Sequence, residues 1–125
     1  MIALDASAML AFLFREPGHE RVADVIEEGC ISSVNLSEVL VRFARDGHDP
    51  ALTYGKIAES PIEIVPFLGE DAALAASLVP ATRRLGLSLG DRACLALALA
   101  RRIPALTADQ AWLRLDLRIR IVPIR

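Results

Sequence analysis

Four acidic residues stand where a metal site can be built: Asp5, Glu38, Asp91 and Asp109. Asp5 closes an apolar N-terminal run, Ile2-Ala3-Leu4, and Asp109 follows a second, Pro104-Ala105-Leu106-Thr107-Ala108. Asp91 opens a nearly all-apolar helical stretch, Arg92-Ala93-Cys94-Leu95-Ala96-Leu97, and Glu38 lies inside an amphipathic one. If the short apolar runs are parallel strands, their carboxyl ends share one edge of a sheet. That is the edge at which open α/β sheets bind ligands. Carboxylates gathered there repel one another unless a divalent cation is present. Mg²⁺ or Mn²⁺, hard cations that prefer oxygen, suit such a donor set.

Each acid also has a plain structural role open to it. Asp5, Asp91 and Asp109 all sit where a helix begins, and a carboxylate there can take the orphan amide protons of the first turn. Glu38 shares a polar stripe with Asn35, Arg42 and Arg45, opposite the core stripe of Leu36, Val39, Leu40 and Phe43. That stripe is either a solvated face with a Glu38–Arg42 pair, worth a few tenths of a kcal/mol, or the border of the acidic pocket. Ser7 and Thr107 can hold a water or a carboxylate there, or cap locally.

The elements that must position these groups follow from the pattern. Met1–Leu4 reads as a short buried strand and Ser7–Phe14 as a helix ended by Glu16-Pro17-Gly18. His19–Glu28 is helical, with Val22, Val25 and Ile26 at i, i+3, i+4 and Gly29 as the stop. Cys30–Ser32 is a strand, and Ser33 caps a helix running to Arg45. A turn cluster at 46–50 leads to a short helix over Ala51–Glu59. Ile62–Phe67 is a strand that Pro66 places near an edge or an end. Asp71–Leu85 is a helix kinked or broken at Pro80 and closed by Gly86. A buried helix over Asp91–Arg102, a strand over Pro104–Thr107, a short helix over Gln110–Leu115 and a final strand over Arg118–Ile124 complete the chain. Strands alternating with helices predict a mostly parallel sheet in three layers.

The bulk numbers agree. A chain of 125 residues is expected to form one domain. A hydrophobic fraction of 54% suits a sheet covered on both faces. No apolar run approaches the roughly 20 residues of a membrane span. Asp5 interrupts the N-terminus, so no signal peptide is expected. Cys30 and Cys94 have neither metal-like nor disulfide-like spacing, and a reducing cytoplasm is the expected compartment. A net charge of −2 argues against a protein that coats nucleic acid nonspecifically, though not against a local basic rim. Asn35-Leu36-Ser37 matches a glycosylation sequon by coincidence, inside an expected helix. His19 and His48 fall in turn-like surroundings, and Trp112, the single tryptophan, has the spacing of a core residue.

Four blocks carry a resemblance. They are Ile2-Ala3-Leu4-Asp5-Ala6-Ser7-Ala8, then Ile31-Ser32-Ser33-Val34-Asn35-Leu36-Ser37-Glu38-Val39. The third is Leu87-Ser88-Leu89-Gly90-Asp91-Arg92-Ala93-Cys94-Leu95-Ala96-Leu97-Ala98, and the last Ala105-Leu106-Thr107-Ala108-Asp109-Gln110-Ala111-Trp112. In order and separation they resemble the PIN-domain family, closely its VapC-type toxin ribonucleases. The resemblance implies a three-layer α/β/α fold with a central, mostly parallel sheet and a Mg²⁺- or Mn²⁺-dependent endoribonuclease that hydrolyses RNA with metal-activated water. It maps Asp5, Glu38, Asp91 and Asp109 as the catalytic quartet, with Asp5, Asp91 and Asp109 as metal ligands and Ser7 and Thr107 as supporting groups. Arg42, Arg45 and Arg92 become candidate contacts to RNA phosphates. Some relatives carry a further acid after the fourth; here Gln110 and Ala111 stand there, which leaves a second metal without that ligand.

The same resemblance implies a homodimer and a small antitoxin partner whose tail blocks the acidic pocket. The stretch Ala8–Phe14 is apolar on nearly every side of its helix, so one face is expected to form a groove for an amphipathic antitoxin helix. Other acidic-pocket folds fail on named residues. A phosphoacceptor receiver needs an aspartate ending its third strand, where Ile64-Val65-Pro66-Phe67 stands, and a lysine ending its fifth, but Lys56 is the only lysine. A haloacid-dehalogenase-type phosphatase needs Asp-x-Asp, where Asp5-Ala6-Ser7 stands. The remaining alternative is a catalytically silent PIN-like scaffold that binds RNA or protein.

Overall fold

A computed structural model describes residues 1–125. Five short strands form one all-parallel sheet: β1 (Ile2–Leu4), β2 (Gly29–Ser32), β3 (Glu63–Val65), β4 (Ala105–Thr107) and β5 (Ile121–Pro123). Their spatial order is β3-β2-β1-β4-β5. The chain builds outward from β1 in one direction and then returns to build in the other. The order therefore reverses between β1 and β4, and a crevice opens outside their carboxyl ends at such a switch point. Asp5 immediately follows β1, and Asp109 lies two residues beyond β4.

Strand alternation distributes the core to two faces. Leu4, Ile31 and Leu106 point to one side, with Met9, Val22, Leu36, Val39 and Ile57. Ala3, Cys30 and Ala105 point to the other, with Leu78, Cys94, Leu95, Ala98 and Trp112. The large residues face α1 (Ala6–Phe14), α2 (His19–Val25), α3 (Ser33–Arg45) and α4 (Pro50–Ala58). The small ones let the apolar helix α7 (Leu89–Arg101) approach closely, and α5 (Gly69–Ser77) covers α7 from outside. Ala93 to Ala98 of α7 is buried without interruption, which explains why this segment lacks a polar stripe. A four-residue helix, α6 (Val79–Thr82), joins α5 to α7.

Several boundaries differ from the sequence expectation. The helix expected to reach Glu28 becomes a 3-10 turn at Ile26–Glu28, and Gly29 enters β2 instead of stopping the helix. Ser32, not Ser33, caps α3: its hydroxyl accepts from the Val34 N–H at 3.2 Å. Ser33 instead accepts from the Phe67 N–H at 3.0 Å, tying the loop after β3 to the start of α3. α7 begins at Leu89 behind a Ser88 cap, so Asp91 is its third residue, not its first. The expected final strand shortens to Ile121–Pro123. β3 does lie at a sheet edge, and the helix expected over Asp71–Leu85 does break near Pro80 and end at Gly86, whose φ is 63°.

Two ties close the molecule at opposite ends. On the amino side of the sheet, Arg101 donates twice to the Glu63 carboxylate at 2.8 Å, pinning the end of α7 to the start of β3 and holding the Glu63 carboxyl below its usual range. On the carboxyl side, the Gln110 amide donates to the Arg125 carbonyl at 2.7 Å, and the Arg125 guanidinium donates to the Pro17 carbonyl at 2.8 Å. No helix is long and apolar enough to cross a membrane.

Candidate active site

Asp5 is the anchor. It occupies the cap position of α1, yet its side chain makes no cap hydrogen bond. The carboxylate turns instead to two hydroxyls. Ser7 Oγ donates to Asp5 Oδ2 at 2.6 Å, and Thr107 Oγ1 donates to the same oxygen at 3.0 Å. Both hydroxyls are themselves fixed: Ser7 Oγ accepts the Ala108 N–H and Thr107 Oγ1 accepts the Asp109 N–H, each at 3.0 Å. The β1 and β4 ends are thereby laced together around one carboxylate that is only 4% exposed. Ser7 and Thr107 thus hold Asp5 while also accepting amide protons from the β4 side.

The electrostatics run against this carboxylate. Burial is the largest influence and raises the Asp5 pKa; the Ser7 hydrogen bond opposes it. The Asp91 charge raises it, the Thr107 hydrogen bond lowers it, and the Glu38 charge raises it again. The net result is a pKa of about 6. Glu38 and Asp91 therefore bear on the same small volume as Asp5. Beneath them, burial first and then these same acids push the Cys94 thiol well above its usual range.

Asn35, of the same polar stripe, and Gly90, which the sequence did not single out, seat Glu38. Asn35 is fully buried. Its amide donates to Glu38 Oε1 at 3.0 Å and to the Gly90 carbonyl at 2.8 Å, so one side chain joins α3 to the first turn of α7. Gly90 is buried, and a Cβ built on it would collide with the Glu38 carboxylate. The signals were present in the chain: Asn35 lies three residues before Glu38 on the same polar stripe, and a glycine interrupts the start of an otherwise apolar helix.

Asp91 and Asp109 serve local caps as well. Asp91 Oδ2 accepts from the Ser88 N–H at 2.8 Å and Ser88 Oγ from the Asp91 N–H at 3.3 Å, a reciprocal capping box. Asp109 Oδ1 accepts from the Ala111 N–H at 2.9 Å and begins the 3-10 turn Gln110–Arg114. Capping and metal binding are compatible, because a carboxylate has two oxygens and each cap engages one. No three Asp, Glu, His or Cys side chains stand as a ready-made ligand cluster. The donor chemistry nonetheless fits a hard divalent cation: oxygen only, with a desolvated Asp5 carrying the field of two further carboxylates.

The arginines named as candidate phosphate contacts lie on α3 and α7. α3 runs away from the acidic edge, so Arg42 and Arg45 lie about 6 and 10 Å further along its axis than Glu38. Arg42 does not pair with Glu38; it sits 3.5 Å from Asp46 and 4.7 Å above the Phe14 ring. The Arg92 guanidinium is half-buried and donates to the Leu87 carbonyl at 2.9 Å, bracing the loop before α7.

The PIN domain family model matches residues 2–117. No curated protein matches significantly in sequence. Among solved structures, a toxin-antitoxin complex from Klebsiella pneumoniae aligns over 100% of this chain and 98% of its own, with a TM-score of 0.76 at 16% identity. VapBC2 from Rickettsia felis, bound to a DNA fragment from its promoter, aligns over 98% of each chain with a TM-score of 0.73 at 17% identity. FitAcB from Neisseria gonorrhoeae aligns over 99% and 98%, with a TM-score of 0.71 at 19% identity. At these identities the likeness is one of fold. The family match spans nearly the whole sequence, from β1 to beyond Asp109, and on that basis the chain belongs to the PIN domain family.

Proposed function

We propose that this chain is a metal-dependent endoribonuclease, the VapC-type toxin of a type II toxin–antitoxin module. The observation that carries the reading is the Asp5 carboxylate. It is buried, unused as a helix cap, held by Ser7 and Thr107, and faced by the charges of Asp91 and Glu38. A purely structural aspartate at a helix start would cap it. Membership of the PIN family and a fold shared with toxin-antitoxin complexes support the same conclusion.

Asp5, Asp91 and Asp109 would hold Mg²⁺ or Mn²⁺. Such an ion, when bound, neutralises charge on the scissile phosphate and makes water acidic enough to attack near neutral pH. Glu38 is exposed, as is Asp109, with Glu38 Oε1 fixed by Asn35 and the Glu38 side chain backed by Gly90. Glu38 orients the attacking water or accepts its proton. Ser7 and Thr107 hold Asp5 in one rotamer. The protein contributes no covalent nucleophile, and the products carry 5′-phosphate and 3′-hydroxyl ends.

The partner in this reading is a small antitoxin that lays an amphipathic helix along α1 and α4. Leu10, Phe12, Leu13 and Phe14 are each only half-buried. Two adjoining grooves, of about 190 and 400 Å³, share Leu13, Lys56 and Ile57 as lining. Such a run of apolar residues with one cationic edge suits the helix-in-groove mode. A homodimer is part of the same proposal.

The test is RNA cleavage by purified protein with Mn²⁺, in wild type and in Asp5→Asn. Metal-dependent cleavage lost in the variant supports the enzyme. Cleavage unchanged in the variant reduces Asp5 to a structural group and overturns this site, whereas RNA bound but never cut gives the silent-scaffold reading instead.

A further inference from the structure

An open groove of about 600 Å³ has Glu38 in its wall and is lined among others by Ser33, Ser37, Phe67, Ser88 and Leu89. Nothing in the chemistry assigned to the acids requires it. We propose that this groove is a nucleobase subsite, in which Phe67 stacks against the base next to the scissile phosphate. The inference rests on the ribonuclease reading and extends it to substrate selection.

Three observations carry it. Glu38 lines the groove and also bears on Asp5, so an occupant of the groove is a direct neighbour of the reacting phosphate. Glu38 is also its one charged lining residue, so the wall holds no cation to pair with a phosphate, repels one through Glu38, and suits the uncharged part of a nucleotide better. The remaining wall is what a base needs. Phe67 is half-buried, backed by the second core, and its backbone is fixed by the 3.0 Å bond to Ser33. Ser33 and Ser88 use lone pairs on backbone amides and keep their hydroxyl protons for a base edge. Leu89 is 54% exposed at the lip, apolar surface that a bound nucleotide would cover. Base stacking on an aromatic ring tolerates any base, while hydroxyls at the rim discriminate among them.

The experiment measures binding and cleavage separately. Fluorescence anisotropy with Ca²⁺ in place of Mn²⁺ compares oligo-uridine and oligo-adenosine octamers with an octamer of abasic ribose phosphates. Stacking predicts that wild type binds at least one base-bearing octamer about tenfold or more tighter than the abasic one. Phe67→Leu, which preserves core packing, removes that difference without changing abasic binding, and Phe67→Trp keeps it. Equal binding of base-bearing octamers by wild type and Phe67→Leu overturns the subsite, as does an equal loss on the abasic octamer. So does no RNA binding at all, which leaves the groove to a protein partner. Base-dependent binding with no cleavage in Mn²⁺ sustains the subsite and overturns the nuclease instead. Thermal melts of both variants confirm folding.

Discussion

The Glu38 carboxylate rests on the bare Cα of Gly90. No other residue type leaves room there, and the seat is completed by the Asn35 amide. Gly90→Ala should therefore separate activity from folding. The atoms it displaces are the free end of a flexible side chain, and alanine is favoured over glycine in a helix by about 1 kcal/mol. The expected result is an unchanged or slightly raised Tm with RNA cleavage reduced tenfold or more. Circular dichroism melts and a cleavage time course check it; wild-type rates would mean that the position of Glu38 does not matter.

Asp5→Asn should stabilise the metal-free protein while abolishing cleavage. Asparagine keeps an oxygen for the Ser7 and Thr107 hydroxyls and removes a buried charge that Asp91 and Glu38 oppose. A Tm raised by several degrees in EDTA at neutral pH is expected, with the added stabilisation by Mn²⁺ lost. A lower Tm in EDTA would show that the charge is structurally useful.

The pH dependence follows from the same residue. The Asp5 pKa is raised in the fold from 3.8 to about 6, so the folded state holds this proton more tightly than the unfolded chain. Its contribution to stability is full below about 3.8 and is lost as pH rises through about 6. The loss is on the order of 3 kcal/mol. Urea unfolding in EDTA between pH 4 and 7 should show this falling share in wild type and not in Asp5→Asn. Mn²⁺ should offset the loss at the upper end.

Leu52→Glu tests the proposed partner groove. Leu52 lines the larger groove and is 68% exposed, so the substitution costs little stability. Binding of the antitoxin from the same module, measured by calorimetry, should weaken tenfold or more, while RNA cleavage stays at the wild-type level. Undiminished binding would place the antitoxin elsewhere.

Trp112→Ala should cost about 3–5 kcal/mol, because the indole is fully buried in the second core. Its indole N–H has no partner. Trp112→Phe therefore removes an unsatisfied donor along with some volume, and its cost should be clearly smaller. Chemical denaturation of both variants decides; equal costs would mean that volume alone matters.

The parallel sheet and the placement of Asp5 and Asp109 beyond the carboxyl ends of β1 and β4 were legible because both acids directly follow apolar runs. Burial on both faces leaves strands with no polar alternation to misread. Ser32 and Ser33 could not be told apart as caps, since either hydroxyl suits the position; the tertiary bond from Phe67 decided it. Asp91 was misplaced by two residues although Ser88-x-x-Asp91 carries the capping-box spacing. Glu38 was the least legible. Spacing offered Arg42 as its partner, but Arg42 is drawn to Asp46 and Phe14, and the true partners, Asn35 and Gly90, are joined by a contact between α3 and α7 that periodicity cannot register.

The closure of the chain end by Gln110 and Arg125 has a practical side. Polypeptide fused after Arg125 would leave the fold beside the turn that carries Asp109, at the mouth of the crevice. Met1, by contrast, departs from the amino side of the sheet and is 56% exposed. Affinity handles and fluorophores for every experiment above therefore belong on the amino terminus; a carboxyl-terminal tag would itself perturb the measured site.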